Sequence, residues 1–139
     1  MIKIAIMGYG TVGSGVAEVL QKNASSIAHK AGQPIEIGRI LDLREFPGSP
    51  FANRFTKDFG DIENDPAIAI VVETMGGLNP AYDFVKRSLL AGKSVVTSNK
   101  ELVAAKGDEL LAIARDRNLN FLFEASVGGG IPILRPLDQ

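Results

Sequence analysis

Six residues near the start leave few folds open. Gly8-Tyr9-Gly10-Thr11-Val12-Gly13 reads G-x-G-x-x-G. A bare match is weak in a chain with 15 glycines, so its placement is the informative part. It directly follows Ile2-Lys3-Ile4-Ala5-Ile6-Met7, whose β-branched residues alternate with others as in a strand. It directly precedes Val12, Val16, Val19 and Leu20, which recur at helical spacing opposite Glu18, Gln21 and Lys22. Strand, glycine turn and amphipathic helix form the context in which one glycine makes the turn, one admits a pyrophosphate to the backbone and one permits close helix–strand packing. Gly8, Tyr9, Gly10, Thr11, Val12 and Gly13 are therefore candidate dinucleotide-binding residues.

The rest of the chain repeats the alternation of strand and helix. The first helix is predicted to fade near Ala31-Gly32, with Gly32 past its end and Pro34 as a stop. A second strand covers residues 35–41. Residues 43–65 hold Pro47, Gly48, Pro50 and Gly60 and read as a long loop with a short helix around 51–58. Ile68-Ala69-Ile70-Val71-Val72 is an unbroken apolar run, as in a parallel strand covered on both faces. Asn79 as N-cap with Pro80 behind it opens a helix to about Leu90, closed by Gly92. A strand at 94–97, a helix at 101–117 with a break expected at Gly107, and a strand at 120–123 follow. This order predicts a doubly wound α/β fold with a mainly parallel sheet of Rossmann type, as one dinucleotide-binding domain over residues 1–139.

Composition excludes other chemistry. Fifteen Lys plus Arg stand against 16 Asp plus Glu, a net charge of −1, which removes the positive excess that non-specific nucleic-acid binding needs. Cysteine is absent and His29 is the single histidine, so thiolate catalysis, disulfides and a zinc centre are not expected. No apolar run reaches membrane-spanning length, and residues 1–7 are too short for a signal peptide, so a cytoplasmic protein is expected.

Further candidates sit where strands end. Asp42 closes the second strand, where a carboxylate would accept from a ribose 2′-hydroxyl and favour NAD; Arg44 could instead pair with the 2′-phosphate of NADP. Glu73-Thr74-Met75-Gly76-Gly77 follows the buried third strand and would lie beside the nicotinamide, making Thr74, Met75 and Gly76 cofactor candidates. A plain Gly-Gly turn explains the glycines equally well but not a carboxylate ending an apolar strand. After the next strand, Ser98 or Asn99 can cap a helix, whereas Lys100 in its first turn opposes the helix dipole and suits a site better than stability. Glu124-Ala125-Ser126-Val127-Gly128-Gly129-Gly130-Ile131-Pro132 contains three consecutive glycines, read as a hinge or as carbonyls turned toward a hard cation.

Taken together, residues 8–13, Glu73-Thr74-Met75-Gly76-Gly77, Val95-Val96-Thr97-Ser98-Asn99-Lys100 and residues 124–132 resemble the amino-terminal half of a homoserine dehydrogenase. The resemblance runs in order over nearly the whole chain, and its second pair of segments is the specific part. It implies NAD(P)-dependent interconversion of L-homoserine and L-aspartate 4-semialdehyde in threonine and methionine biosynthesis. It places Lys100 in the active-site cleft near the nicotinamide and the reacting oxygen, with Ser98 and Asn99 beside the cofactor. It implies a sodium ion held by carbonyls of Glu124, Val127, Gly129 and Ile131. Family members favouring NADP tend to carry Arg just before the strand-end Asp, where this chain has Leu41, so NAD against NADP stays open. The family's substrate pocket, proton-handling residues and homodimer interface belong to a second domain. The apolar tail at 131–137, leading to no further element, suggests a chain cut in mid-fold, so turnover by these 139 residues alone is not expected. The alternatives are another semialdehyde or amino-acid dehydrogenase and a stand-alone dinucleotide sensor.

Overall fold

The computed structural model describes residues 2–124. Six parallel strands form one sheet: β1 Ile2–Met7, β2 Ile35–Leu41, β3 Phe55–Thr56, β4 Ile68–Glu73, β5 Ser94–Thr97 and β6 Phe121–Phe123, in the order β3-β2-β1-β4-β5-β6. The order reverses between β1 and β4, so the connections leaving these strands diverge and open a crevice at their carboxyl ends. The helices are α1 Thr11–Lys22, α2 Ala24–Ala31, α3 Gly60–Glu63, α4 Ala81–Leu90 and α5 Lys100–Asp116.

Strand periodicity assigns successive residues to opposite faces. In β1, Ile4 and Ile6 pack with Val16, Ala17 and Leu20 of α1, while Ala5 and Met7 pack with Val85 and Leu89 of α4 and Leu102 and Leu110 of α5. Val71 and Val72 divide in the same way, as do Val95 and Val96. Each central strand is thus apolar on both sides, which is why the run before Glu73 shows no alternation. Among the described residues no helix is long and apolar enough to cross a membrane.

Four details depart from the sequence expectation. The first helix breaks at Asn23, whose backbone N–H and side-chain amide both donate to the Val19 carbonyl (3.0 and 3.1 Å). A side chain competing for the helix's own acceptor ends α1, and a second helix runs on to Gly32, which sits at φ +80° as expected. In place of a helix at 51–58 there is a single 3-10 turn, Ala52–Arg54, then the edge strand β3, with α3 starting at Gly60. The Arg54 guanidinium donates to the Ile37 carbonyl and ties this segment to β2. Helix α4 begins at Ala81 with Pro80, not Asn79, in the cap position, because Leu78 to Pro80 form a turn whose Leu78 and Pro80 carbonyls take the Tyr82 and Phe84 N–H groups. Helix α5 continues through Gly107: buried Leu102, Leu110 and Ala114 hold it on both sides of the glycine, outweighing a propensity cost of about 1 kcal/mol.

Candidate functional site: a dinucleotide cleft at the switch point

The turn after β1 is built by contacts that only glycine permits. Gly8 has φ +96°, and its N–H donates to the Leu41 carbonyl at 2.8 Å. A Cβ on Gly13 would lie 1.9 Å from the Gly8 carbonyl oxygen and 2.9 Å from Thr74 Oγ1, so α1 packs directly on the loop that launches it. The Thr74 hydroxyl faces the Met7 and Gly8 carbonyls, 3.0 Å from each, and clamps the same loop from β4. Gly10 caps α1 without a side-chain hydrogen bond, and no acidic residue stands in the first turn. Exposed Thr11 and Val12 open that turn, so the positive end of a 12-residue helix faces the crevice with free N–H groups.

Beside this helix start lies a cleft of about 440 Å³, lined among others by Gly8, Gly10, Asp42, Arg44, Thr74 and Met75. The carboxyl ends of β1, β2 and β4 therefore bring most of the expected site residues to one place. Tyr9 contributes differently from its neighbours. Its ring meets Phe46 and Phe55 edge-on at 5.0 and 4.9 Å, and its hydroxyl lies 3.3 Å from Ser49 Oγ, so it anchors the glycine loop to the segment before β3.

Asp42 and Arg44, read from sequence as rival signals, are bonded to each other. Asp42 Oδ1 accepts from the Arg44 backbone N–H (2.9 Å) and Nε (3.0 Å); Oδ2 accepts from Arg44 Nη2 (2.8 Å) and the Tyr9 N–H (2.9 Å). The guanidinium and these backbone donors hold the Asp42 carboxyl well below the usual carboxylate range. The Asp42 side chain is 8% exposed and that of Arg44 63%, so the cation faces solvent from a buried anchor. The guanidinium also lies 5.3 Å from the Phe46 ring centre.

After β5, outside the lining of this cleft, the Asn99 side chain caps α5 by accepting from the Leu102 N–H at 3.0 Å. Lys100, first residue of α5, is exposed, and Ser98 is half-buried with its N–H on the Glu73 carbonyl. Glu73 is fully buried: Oε2 accepts from the Met75 and Gly76 N–H groups and Oε1 from the Thr97 hydroxyl. Sequence reasoning left Glu73 undecided and passed over Thr97, whose type gives no signal until β5 is seen beside β4. It also passed over Lys57 and Leu43 in the cleft wall, which follow loop geometry rather than pattern. Of the carbonyls implied for sodium, only that of Glu124 belongs to a described residue. Its N–H donates to the Thr97 carbonyl; Val127, Gly129 and Ile131 lie outside the described residues.

Comparison with known proteins agrees with this geometry. The family model described as the homoserine dehydrogenase NAD-binding domain matches residues 8–124. The chain is 41% identical over 139 residues to a homoserine dehydrogenase of Pseudomonas aeruginosa, covering 99% of this chain and 32% of that protein. It is 38% identical over 141 residues to that of Bacillus subtilis, covering 99% and 33%. A crystal structure of a homoserine dehydrogenase from Thiobacillus denitrificans superposes with a TM-score of 0.83 at 38% identity, over 90% of this chain and 30% of that one. The chain spans about a third of the length of the curated relatives it matches. A glycine loop clamped at the switch point, with the family's own match running from Gly8 to Glu124, makes this chain a member of the homoserine dehydrogenase NAD-binding domain family.

Proposed function

We propose that this chain is the cofactor-binding part of an NAD(P)-dependent homoserine dehydrogenase, which oxidises the L-homoserine alcohol to L-aspartate 4-semialdehyde and reduces it back. The observation that carries the reading is the uncapped start of α1 beneath an open cleft, with Gly13 in contact with the Gly8 carbonyl. Free N–H groups at a helix start bind a pyrophosphate, and a Cβ at Gly10 or Gly13 would stand in the way of either the ligand or the helix. The bound nicotinamide supplies the hydride acceptor; the residues of this chain orient it. Thr74 and Met75 line the cleft on the β4 side, with Gly76 next in the chain. Lys100 stands exposed at the same edge of the sheet, where an ammonium stabilises negative charge developing on the substrate oxygen. Substrate pocket, proton transfer and dimer contacts are assigned to the remainder of the enzyme, so the chain by itself binds without turning over.

The adenosine end favours NADP. A carboxylate offers about four lone-pair positions, and four donors already occupy those of Asp42. A ribose 2′-hydroxyl would have to displace Arg44, whereas a 2′-phosphate meets the exposed guanidinium with N–H groups to spare. Calorimetric titration of NAD⁺ and NADP⁺ into this chain tests both statements. One-to-one binding with NADP⁺ tighter is expected, with the preference reduced at least about tenfold in Arg44→Ala, the scale of one charged hydrogen bond. Absence of binding to either dinucleotide overturns the reading; tighter binding of NAD⁺ overturns only the preference.

A further inference from the structure

Glu73 carries a feature that dinucleotide binding does not explain. It is a fully buried carboxylate that no cation pairs with among the described residues, at the end of an otherwise apolar strand. Burying a carboxylate is costly unless each acceptor position is used, and an apolar residue would pack here at less cost. Its acceptors are used in one direction only. Oε2 takes the Met75 N–H at 2.8 Å and the Gly76 N–H at 3.1 Å; Oε1 takes the Thr97 hydroxyl proton. Having donated to Glu73, Thr97 Oγ1 accepts the Asn99 N–H at 3.0 Å. Asn99 Nδ2 then donates to the Gly77 carbonyl at 2.6 Å, while Asn99 Oδ1 caps α5 on Leu102. The circuit closes on itself: Glu73, the turn at 75–77, Asn99, Thr97 and back to Glu73.

Both parts it joins need holding. Gly76 and Gly77 sit at φ +79° and +72° with nothing within 4 Å of where a Cβ would be, so these two positions bring no side chain to anchor the turn, which packs on the core only through the adjoining Met75 and Leu78. Lys100 follows Asn99 directly, so the position of the helix start is the position of the lysine's backbone. Thr97 is 0% and Asn99 5% exposed, and no buried side-chain polar atom among the described residues lacks a partner. Hydrogen bonds shielded from water in this way strengthen one another and select a single arrangement.

We propose that Glu73 and Thr97 are positioning residues: through their hydrogen-bonded circuit they lock the turn at 75–77 to the first turn of α5, so the two walls of the nicotinamide end of the cleft move as one body. This rests on the dinucleotide reading above. The test compares two probes on the 139-residue chain by calorimetry: 2′,5′-ADP, which fills only the adenosine end, and NADPH, which fills both. The ratio of their dissociation constants reads the nicotinamide end alone. In Thr97→Val, which leaves Glu73 and the Asn99 N–H without their shared partner, that ratio falls at least about fivefold, the scale of one ordinary hydrogen bond. The dissociation constant of 2′,5′-ADP stays within about twofold, since no contact at the adenosine end has changed. Thr97→Ser keeps the hydroxyl and restores the ratio. An unchanged ratio in a folded Thr97→Val overturns the positioning role and leaves the dinucleotide reading standing; failure of the wild-type chain to bind NADPH overturns both.

A second measurement serves if the valine variant does not fold. In Glu73→Gln the amide can still accept from Met75 and Gly76 but must offer a donor to Thr97, reversing that bond and leaving the buried Thr97 hydroxyl proton without its acceptor, so the hydroxyl that receives the Asn99 N–H has to reorient. Amide hydrogen exchange at Asn99 and Leu102 is then expected to speed up at least about tenfold, while Ile6 in β1 keeps its protection. Unchanged exchange at Asn99 and Leu102 overturns the circuit.

Discussion

Gly13→Ala is the sharpest test of the loop geometry, because the two effects of a methyl group there have opposite signs and different sizes. Within a helix, alanine gains about 1 kcal/mol over glycine. Here the new Cβ would sit 1.9 Å from the Gly8 carbonyl oxygen and 2.8 Å from its carbon. An ordinary carbon–oxygen contact is about 3.3 Å, so a gap of roughly 1.4 Å must be opened (3.3 minus 1.9). The obstacle is backbone held from three directions. Gly8 donates to Leu41, its carbonyl faces the Thr74 hydroxyl, and the same face of α1 is pinned further along by buried Val16, Ala17 and Leu20. Overpacking in a constrained core costs about 1–3 kcal/mol and more where backbone must move. Because the obstacle is backbone, the upper end applies, and with the helical gain subtracted a net loss of about 2 kcal/mol remains, a fall in Tm of roughly 6–10 °C for a chain of this size. Thermal melts followed by circular dichroism read it directly. The companion variant Gly10→Ala has only the Arg44 guanidinium at 3.9 Å and should melt within about 2 °C of wild type while losing dinucleotide affinity. A Gly13→Ala chain as stable as wild type would refute the clamped loop and the close helix approach inferred from it.

Other expectations rest on single interactions. Asp42 has its acidity strengthened by Arg44 and by backbone donors, so its contribution to stability is present above the ordinary aspartate value near 3.9 and is lost as pH falls through the lower folded-state value. Melts between pH 7 and pH 2 should therefore show a shallower acid decline for Asp42→Asn than for wild type. Lys93 is 2% exposed and donates to the Asp65 and Ile68 carbonyls, so Lys93→Met strands two acceptors and should cost about 1–3 kcal/mol in urea unfolding. Burial also pushes the Lys93 ammonium below the usual lysine range; the unfolded chain then binds more protons in the interval below about 10.4, and this residue's contribution rises with pH there. Arg87 grips Glu63 with Nε at 3.1 Å and Nη2 at 2.6 Å while lying 4.9 Å from the Phe59 ring centre. Lysine matches neither the fork nor the stacking, so Arg87→Lys should lose about 1 kcal/mol at low salt, with a smaller difference at 1 M salt.

The residues that were legible in the sequence are those whose role is set by their immediate neighbours. Gly8, Gly13 and Gly32 need conformations or contacts that a short window already implies, and Ile4, Val71 and Val95 declare a strand by type and company. Where tertiary partners decide, sequence reading erred or stopped. Asn23 sits inside a periodic apolar pattern, and its side chain reaching back to Val19 ends the helix without disturbing that pattern. Edge strand β3 has two residues and owes its existence to β2 alongside it, with Arg54 fastened to Ile37. Gly107 looked like a break because the buried residues that hold α5 straight lie five residues before it and three after. Asp42 and Arg44 read as competitors because their spacing in the chain says nothing about whether one guanidinium lies flat on the other's carboxylate. Glu73 and Thr97 lie 24 residues apart and become partners only when β4 and β5 pair.

The two ends of the cleft are held by interactions of different stiffness. At the proposed adenosine end, Arg44 turns an exposed, salt-screened guanidinium to solvent from the buried Asp42, with N–H groups left for a second anion. At the proposed nicotinamide end, Glu73, Thr97 and Asn99 are closed off from water and bonded to one another and to the turn at 75–77. Under the proposed function, the difference matches what each end has to do. Recognition of a charged group tolerates small displacements, because Coulomb attraction falls off slowly with distance. Transfer between a bound ring and a substrate carbon depends on separation and angle, and a shift of about 1 Å is enough to cost a hundredfold in rate. A fully buried carboxylate with three donors is a costly way to hold a two-glycine turn, and that cost is repaid only where the turn's position to a fraction of an ångström matters.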